Sequence, residues 1–494
     1  MRYKIAFYDF GSTAIMHRHV IDMARSERAP VSFCAIQPNP YYRAIMREVL
    51  DPADILDVFS ALPRKRTNGD PSILVSYQGS FVEDLGALKR TWRRDRPGNW
   101  WFTHGMAVYQ LYKEFLANCQ ATHLFMPTIE TPEAKIAVAV ARELGLGVIV
   151  PTDMRNVGGG YFARDCVETP PFYARATTET RAQAAQFIRD FRKSPVPARR
   201  LPEITSNDRD NEVIERHLPS VWKRALRFAL AALERPDLFE PVFIRLSLMR
   251  NFTWIREPIR SQRALRNAAQ YDIDEITELP KRFIYYPLHF TPEAAINTPA
   301  PFYVDQMRVI DALRQAMPNG CVLVVKEHPV CLPIRRPGFL RKLRRLPGVV
   351  VAKVTMPSLE LVKRAAVTAT VTGTAALEAF LLGRPAILLG PSLPSWLIGP
   401  HPPETKNLCA AIAGAIDNPP VDEFIIERLA QLLSVRYPFT YGSVHEPGEP
   451  VLRRGNMRRM WEALKDHLDR ERQAEERIGT ATSALPLAAK VVEI

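Results

Sequence analysis

Short apolar runs alternate with longer amphipathic stretches in two separate parts of the chain. The first run, Tyr3-Lys4-Ile5-Ala6-Phe7-Tyr8, reads as a strand broken at Asp9-Phe10-Gly11-Ser12. A helical stretch over residues 16–25 follows, then a second strand over 31–36. Further on, residues 122–126 read as a strand and 132–144 as a helix that Gly145 or Gly147 ends. Residues 148–151 are another buried strand. Strands and helices of this length in alternation point to a doubly wound parallel sheet. Residues 1–165 are therefore expected to form one Rossmann-like domain.

The alternation fails between residues 166 and 280, which open on Thr169-Pro170-Pro171 and are otherwise helical and basic. This stretch reads as a connecting or inserted helical region. From Lys281 the alternation returns more clearly. Strands are expected at 283–286, 321–326, 349–351, 367–371 and 386–389, with helices at 304–316, 358–364 and 375–382. Residues 281–435 are thus a second Rossmann-like domain, and 436–475 a C-terminal helical segment with a charged helix at 456–472. Residues 476–494 carry small and apolar residues without period and are expected to be a disordered tail. The fold class is α/β, with two Rossmann-like halves facing a cleft. Neither first strand is followed by Gly-x-Gly-x-x-Gly, which argues against a simple dehydrogenase.

Composition narrows the class further. The chain has 494 residues, 47% apolar and 24% charged, so wholesale disorder is excluded. No uninterrupted apolar run is long enough for a transmembrane helix, and the N-terminal run holding Asp9 is not a signal peptide. Six cysteines (Cys34, Cys119, Cys166, Cys321, Cys331, Cys409) include no Cys-x-x-Cys pair. That usage fits a reduced cytosolic protein without a disulfide frame or zinc site. Lys and Arg outnumber Asp and Glu by 66 to 53, a net charge of +13. No nucleic-acid-binding motif accompanies the surplus, so nucleic acid is not an expected partner. Between Arg216 and Arg266, eleven Lys/Arg and four Asp/Glu interleave with Trp222, Phe228, Phe243, Phe252 and Trp254. A second basic run spans 335–345. Solvated helix faces account for both runs, and a peripheral contact with an anionic membrane surface is the sharper reading.

The strongest chemical signal is Val371-Thr372-Gly373-Thr374-Ala375-Ala376-Leu377-Glu378. A buried strand ends in Thr-Gly-Thr where a helix begins, with Thr374 a natural N-cap and Gly373 admitting a ligand to the backbone. The positive helix end is a phosphate site in waiting, and Glu378, one turn in, can accept from a ribose or sugar hydroxyl. The second signal is Val325-Lys326-Glu327-His328-Pro329, an apolar strand delivering Lys326 and His328 to a ligand-binding sheet edge, with Pro329 fixing the direction. A third, Pro287-Leu288-His289-Phe290-Thr291-Pro292-Glu293, leaves His289 and Glu293 as cleft or capping residues. Each alone has a bland structural reading. Together in one domain they describe a binding edge.

These three motifs, in this order and completed by Glu378-Ala379 and Gly383-Arg384-Pro385, resemble bacterial capsule and surface-polysaccharide biosynthesis proteins. That group is similar to GT-B glycosyltransferases, including Kdo transferases and sialyltransferases with a His-Pro motif. The resemblance spans roughly residues 281–395 and is only topological over 1–165. It implies that His328 and Thr372–Thr374 bind the phosphate of a CMP-sugar. It also implies an acceptor-side base in the N-terminal half, within an acidic pair followed by Gly. Here the chain has Glu83-Asp84-Leu85-Gly86, an imperfect match that makes Asp84 the candidate base. His17, His104, Glu130 and Glu133 are further acceptor-side candidates.

The expected function is a metal-independent glycosyltransferase using a nucleotide sugar as co-substrate and no cofactor. Its expected acceptor is a glycan or a lipid-linked glycan, met in the cytoplasm or peripherally at the membrane's inner face. The alternatives are a nucleotide-sugar epimerase or hydrolase of the same fold, and a non-catalytic component of polysaccharide assembly or export.

Overall fold

The structure, a computed structural model, describes residues 3–9, 13–38, 43–64, 98–127, 132–165, 167–196, 226, 230, 233–235, 253–290, 296, 299–399, 407–441, 451 and 453–483. They build two sheets. The first has six strands in the order β3-β2-β1-β4-β5-β6, formed by β1 (Tyr3–Tyr8), β2 (Val31–Gln37), β3 (Ile55–Asp57), β4 (His123–Phe125), β5 (Gly147–Asp153) and β6 (Gly160–Ala163). All pairs are parallel except β5 with β6. The second has five strands in the order β11-β10-β7-β8-β9, formed by β7 (Phe283–Pro287), β8 (Val322–Lys326), β9 (Val349–Ala352), β10 (Val367–Thr370) and β11 (Ala386–Leu388). It is parallel throughout. Two doubly wound α/β halves are therefore present, as the alternation predicts.

Side-chain alternation explains why both faces of each sheet are covered. Along β1, Ile5 and Phe7 enter one buried cluster while Ala6 and Tyr8 enter the other. Along β7, Phe283 and Tyr285 face one cluster and Ile284 and Tyr286 the opposite one. Such strands have no polar face, so they read as nearly continuous apolar runs. The helices that supply the covering are α1 (Thr13–Ser26), α2 (Gly98–Asn118), α3 (Pro132–Glu143), α4 (Thr178–Lys193), α5 (Thr253–Ala268), α6 (Gln306–Ala316), α7 (Phe339–Arg344), α8 (Ser358–Arg364), α9 (Thr374–Leu381), α10 (Leu393–Ile398), α11 (Leu408–Asp417), α12 (Asp422–Leu433) and α13 (Arg454–Ser483).

Several elements depart from the sequence reading. The strands β3 and β6 are unanticipated: β3 is three residues long, and β6 turns back antiparallel on β5 through the loop holding Gly158 and Gly159. The helix expected from Val304 begins at Gln306, because the Asp305 carboxylate accepts from Met307 N at 3.1 Å and caps it there. The C-terminal helix starts at Arg454 and continues to Ser483, past the expected end at residue 472 and into the expected tail. Its apolar face (Met457, Met460, Trp461, Leu464) packs with α1 and β2 of the first sheet. The stretch expected only to connect the halves contains α4, which packs on α12 through Arg181–Glu427 and Arg192–Asp422 ion pairs. One core cluster holds Ile188 of α4, Tyr112 of α2, Phe380 of α9, Leu393 of α10 and Leu429 of α12, so the two halves share buried surface. No helix among the described residues is long and apolar enough to cross a membrane.

Candidate functional site

In the second sheet the chain runs outward from β7 through β8 to β9, then returns to the other side of β7 for β10 and β11. The connections leaving β7 and β10 diverge, and the crevice between them is where ligands bind in such sheets. His289, just beyond β7, meets Thr370 at the end of β10 in that crevice. Its Nε2 lies 3.0 Å from Thr370 Oγ1 and accepts from Val371 N at 3.1 Å. A backbone N–H can only donate, so this nitrogen carries no proton and the neutral ring holds its proton on Nδ1. Burial, with His328 and Arg335 nearby, pushes the His289 pKa down to about 4. Thr370 Oγ1 in turn accepts from Gly373 N at 3.2 Å. The ring therefore shapes the turn into α9.

Gly373, not Thr374, occupies the N-cap position, and no side chain caps the helix. Thr374 is the first helical residue, which corrects its expected capping role. The Thr374 and Ala375 amides stand in the first turn, where no helical carbonyl reaches them. A Cβ on Gly373 would lie 2.5 Å from Thr370 Oγ1 and 3.3 Å from His289 Cε1, so close packing demands glycine here. Gly383, with φ of 68°, closes the other end of α9.

The strand β8 delivers Lys326, Glu327 and His328 to the same edge. Lys326 is buried and donates to Ser358 Oγ at 3.0 Å. Burial lowers its pKa against the opposing pull of Glu327 and Glu378. Glu378 is buried too, so it is a counter-charge for Lys326 as well as a neighbour of the site. Glu327, 2% exposed, forms a two-point ion pair with Arg335 at 2.6 and 2.7 Å, and its Oε1 accepts from His328 N at 2.8 Å. Arg335 also donates to His289 O at 3.2 Å and lies over the Phe339 ring. His328 is exposed and its Nδ1 accepts from Val330 N at 3.3 Å, while Pro329 opens the turn. A neutral His328 consequently carries its proton on Nε2, as a donor. Though part of the residue is exposed, partial desolvation by the surrounding protein lowers the His328 pKa, with Glu327 opposing the effect and Lys326 and Arg335 adding to it.

Thus the edge has two cations matched by two buried carboxylates. Capacity for an anion rests on fixed N–H donors, from the α9 start and His328, more than on surplus charge. Lys326, His328, Pro329, Thr372, Gly373, Thr374 and Glu378 all lie along it. Arg335 and Glu327 were not singled out from sequence: Arg335 reads there as one member of a basic run, and only its burial distinguishes it.

The first sheet has its own crevice between β1 and β4. Asp9, just past β1, is buried, accepting from His17 Nδ1 at 2.7 Å and Gln37 Nε2 at 3.0 Å. His17 Nε2 lies 3.3 Å from the Tyr441 hydroxyl, so that ring is enclosed. His104 Nε2 pairs with Glu133 Oε1 at 3.0 Å at the start of α3. Glu83, Asp84, Glu130 and Glu293 lie outside the described residues, as does most of the basic stretch 216–252. Among the described residues no group of three or more His, Cys, Asp or Glu is placed to hold a metal ion.

No protein-family model matches the chain, and no curated protein matches it. Among solved structures it is similar to a β-Kdo 2,4-transferase, KpsC of Thermosulfurimonas dismutans. The identity is 14% over 63% of this chain and 87% of the other, with a TM-score of 0.32. It is also similar to a UDP-GlcNAc 2-epimerase from Neisseria meningitidis bound to UDP-GlcNAc, at 10% identity over 94% and 99% of the two chains, TM-score 0.25. A third likeness is the glycotransferase of kitacinnamycin, at 12% identity over 95% and 99%, TM-score 0.24. With values this low, the fold described above rests on the chain's own strand order and register.

Proposed function

We propose that this chain is a GT-B-type glycosyltransferase. It moves a sugar from a nucleotide-linked donor to a cell-surface polysaccharide or lipid-linked acceptor. The observation that carries the reading is the β7–β10 crevice, where His289, Thr370 and Gly373 interlock so that the α9 amides face the ligand edge. In the proposed mechanism these amides and the His328 Nε2–H hold the leaving phosphate, a preorganised set of donors that needs no metal ion. Lys326 and the Thr372–Thr374 turn line the phosphate's approach, Glu378 is the proposed acceptor for a ribose or sugar hydroxyl, and Glu293 is a further donor-binding candidate from its motif alone. Asp84 is the proposed base for the acceptor hydroxyl. The preference for a CMP-linked donor such as CMP-Kdo comes from the motif resemblance.

The test is a thermal-shift screen with CMP-, UDP- and GDP-linked sugars, followed by turnover with and without glycan acceptors. A ligand at 100 times its dissociation constant adds about 2.7 kcal/mol of stability. Stabilisation by one nucleotide class, with sugar consumed only when acceptor is present, supports the proposal. Nucleotide release or sugar alteration without acceptor assigns the epimerase or hydrolase reading instead. No stabilisation by any donor assigns an assembly or export role.

Peripheral membrane attachment is part of the same proposal. On α5, Ile259 and Leu265 are 57% and 72% exposed, with Arg260 and Arg266 exposed beside them. Apolar and cationic groups sharing one surface suit an anionic bilayer. Co-sedimentation with anionic vesicles but not neutral ones, reversed by high salt, is the expected result. Equal binding to both overturns it.

A further inference from the structure

The stretch between the two halves sends one buried side chain to the edge of the second sheet. Asn267, in the last turn of α5, donates through Nδ2 to Leu332 O at 2.7 Å and to Arg335 O at 3.3 Å. Both partners are carbonyl oxygens, which only accept, so the amide must face them with its two N–H hydrogens. The chain beyond α5 is fixed as well. Asp272 N donates to Val351 O at 2.8 Å, and the Asp272 carboxylate accepts from Val351 N at 2.9 Å and pairs with Arg344 at 2.6 Å. Ile273 then bridges to Ala352 of β9. The end of α5 is thereby stitched to the edge strand, which makes Asn267 a fixed point.

The loop that Asn267 grips has little else to hold it. Between His328 and Arg335, Val330 and Ile334 are exposed and Cys331 is the fully buried apolar residue. The loop's own N–H groups are spent on tight turns, Cys331 N on His328 O at 2.9 Å and Arg335 N on Cys331 O at 2.7 Å. A segment with so few buried apolar contacts is among the first to move when a polar tie is lost. Arg335 passes the loop's position on. Its guanidinium holds Glu327 by two bonds and His289 O by a third, and Glu327 holds His328 N.

We infer that Asn267 is a positioning residue of the donor edge, setting the 329–335 loop so that Arg335 and Glu327 hold His289 and His328 against the α9 start. The inference rests on the donor-site reading of that edge. Asn267 touches no substrate; it acts through the loop, and the connecting region becomes part of the site's scaffold. Asn267→Asp is the informative change. It keeps the shape, but an ionised carboxylate has no donor and sets an oxygen against two carbonyl oxygens.

The experiment uses the full chain and two readouts. The first needs no ligand: with ring-labelled histidine, the His328 signal is identified by its loss in His328→Ala and followed through its titration by NMR. In the parent it titrates below the ordinary value of 6.5. In Asn267→Ala and Asn267→Asp it should move up toward that value, because a loosened loop returns the ring to water. The second readout is affinity for CMP by calorimetry, expected to fall several-fold in each variant. Asn267→Ala should cost less in a His328→Ala background than in the parent, since part of its effect passes through that ring. A merely structural asparagine would cost the same in both. An unmoved His328 titration, or equal costs in the two backgrounds, overturns the inference. A parent that binds no CMP removes the cytidine-nucleotide reading and leaves the titration to decide the role of Asn267. Where Asn267→Ala does not fold, the isosteric Asn267→Asp carries both readouts.

Discussion

At the scale of single residues, His289 and His328 are three-dimensional neighbours with opposite tasks. His289 is enclosed, neutral, and bonded on one nitrogen by two donors, Thr370 Oγ1 and Val371 N. Removing it strands a buried amide and a buried hydroxyl. His289→Ala is therefore expected to cost about 1–3 kcal/mol of stability, measured by urea unfolding, and to weaken nucleotide binding by distorting the α9 turn. His328 is exposed, so His328→Ala should leave stability within about 0.5 kcal/mol of the parent. Its nucleotide affinity should nonetheless fall about tenfold, or 1.4 kcal/mol, by calorimetry. Unchanged affinity in His328→Ala would remove it from the donor site. Glu327 and Arg335 complete the residue picture: a buried pair tying the His328 backbone to the His289 carbonyl.

At the scale of elements, the β10–α9 junction is the unit that matters. The helix starts without a side-chain cap, and the approach of Gly373 to Thr370 Oγ1, with His289 close behind, leaves no room for a methyl group. Gly373→Ala should consequently abolish nucleotide binding while the far-UV spectrum keeps its helix and strand content. Thr374→Ala separates two roles cleanly. Loss of a true N-cap costs about 1 kcal/mol, whereas a first-turn Thr outside the cap should cost less than about 0.5 kcal/mol. A loss near 1 kcal/mol on urea unfolding would restore the capping role that the geometry denies. Any fall in affinity in this variant then reports a ligand contact, because the helix start is intact.

The whole molecule is held together by a terminal helix that returns to the first sheet and by a cluster shared between the halves. Two buried imidazoles make this assembly sensitive to acid. His289, beside His328 and Arg335, and His467, beside Glu471, His123, Arg470 and Asp466, both have pKa values lowered to about 4 by burial first. Unfolded, each binds a proton near the ordinary value of 6.5; folded, each resists until about 4. The unfolded state thus holds more protons in this window, so stability is fully present above pH 6.5 and declines as pH falls toward 4. Urea midpoints measured across that range should fall with acid. Replacing His467 by Phe should flatten the decline, and an unchanged slope would show that His467 titrates normally.

Much of this architecture was legible in the chain itself. The apolar runs at 3–8 and 322–325 and the helix ending at Gly383 are local patterns, and local patterns survive without knowledge of the fold. The carboxyl-edge position of Lys326, His328 and Gly373 followed from the same reading. Tertiary structure alone decided the rest. It set His289 against Thr370, 81 positions away. It turned Arg335 from a member of a basic run into the buried partner of Glu327, and it gave the N-cap of α9 to Gly373. It also extended α13 to Ser483 and carried it back to the first sheet. The physical reason is common to all of them. Burial and partnership are properties of surfaces that meet only after the chain has folded, and a window of neighbouring residues holds no record of what will lie across from it.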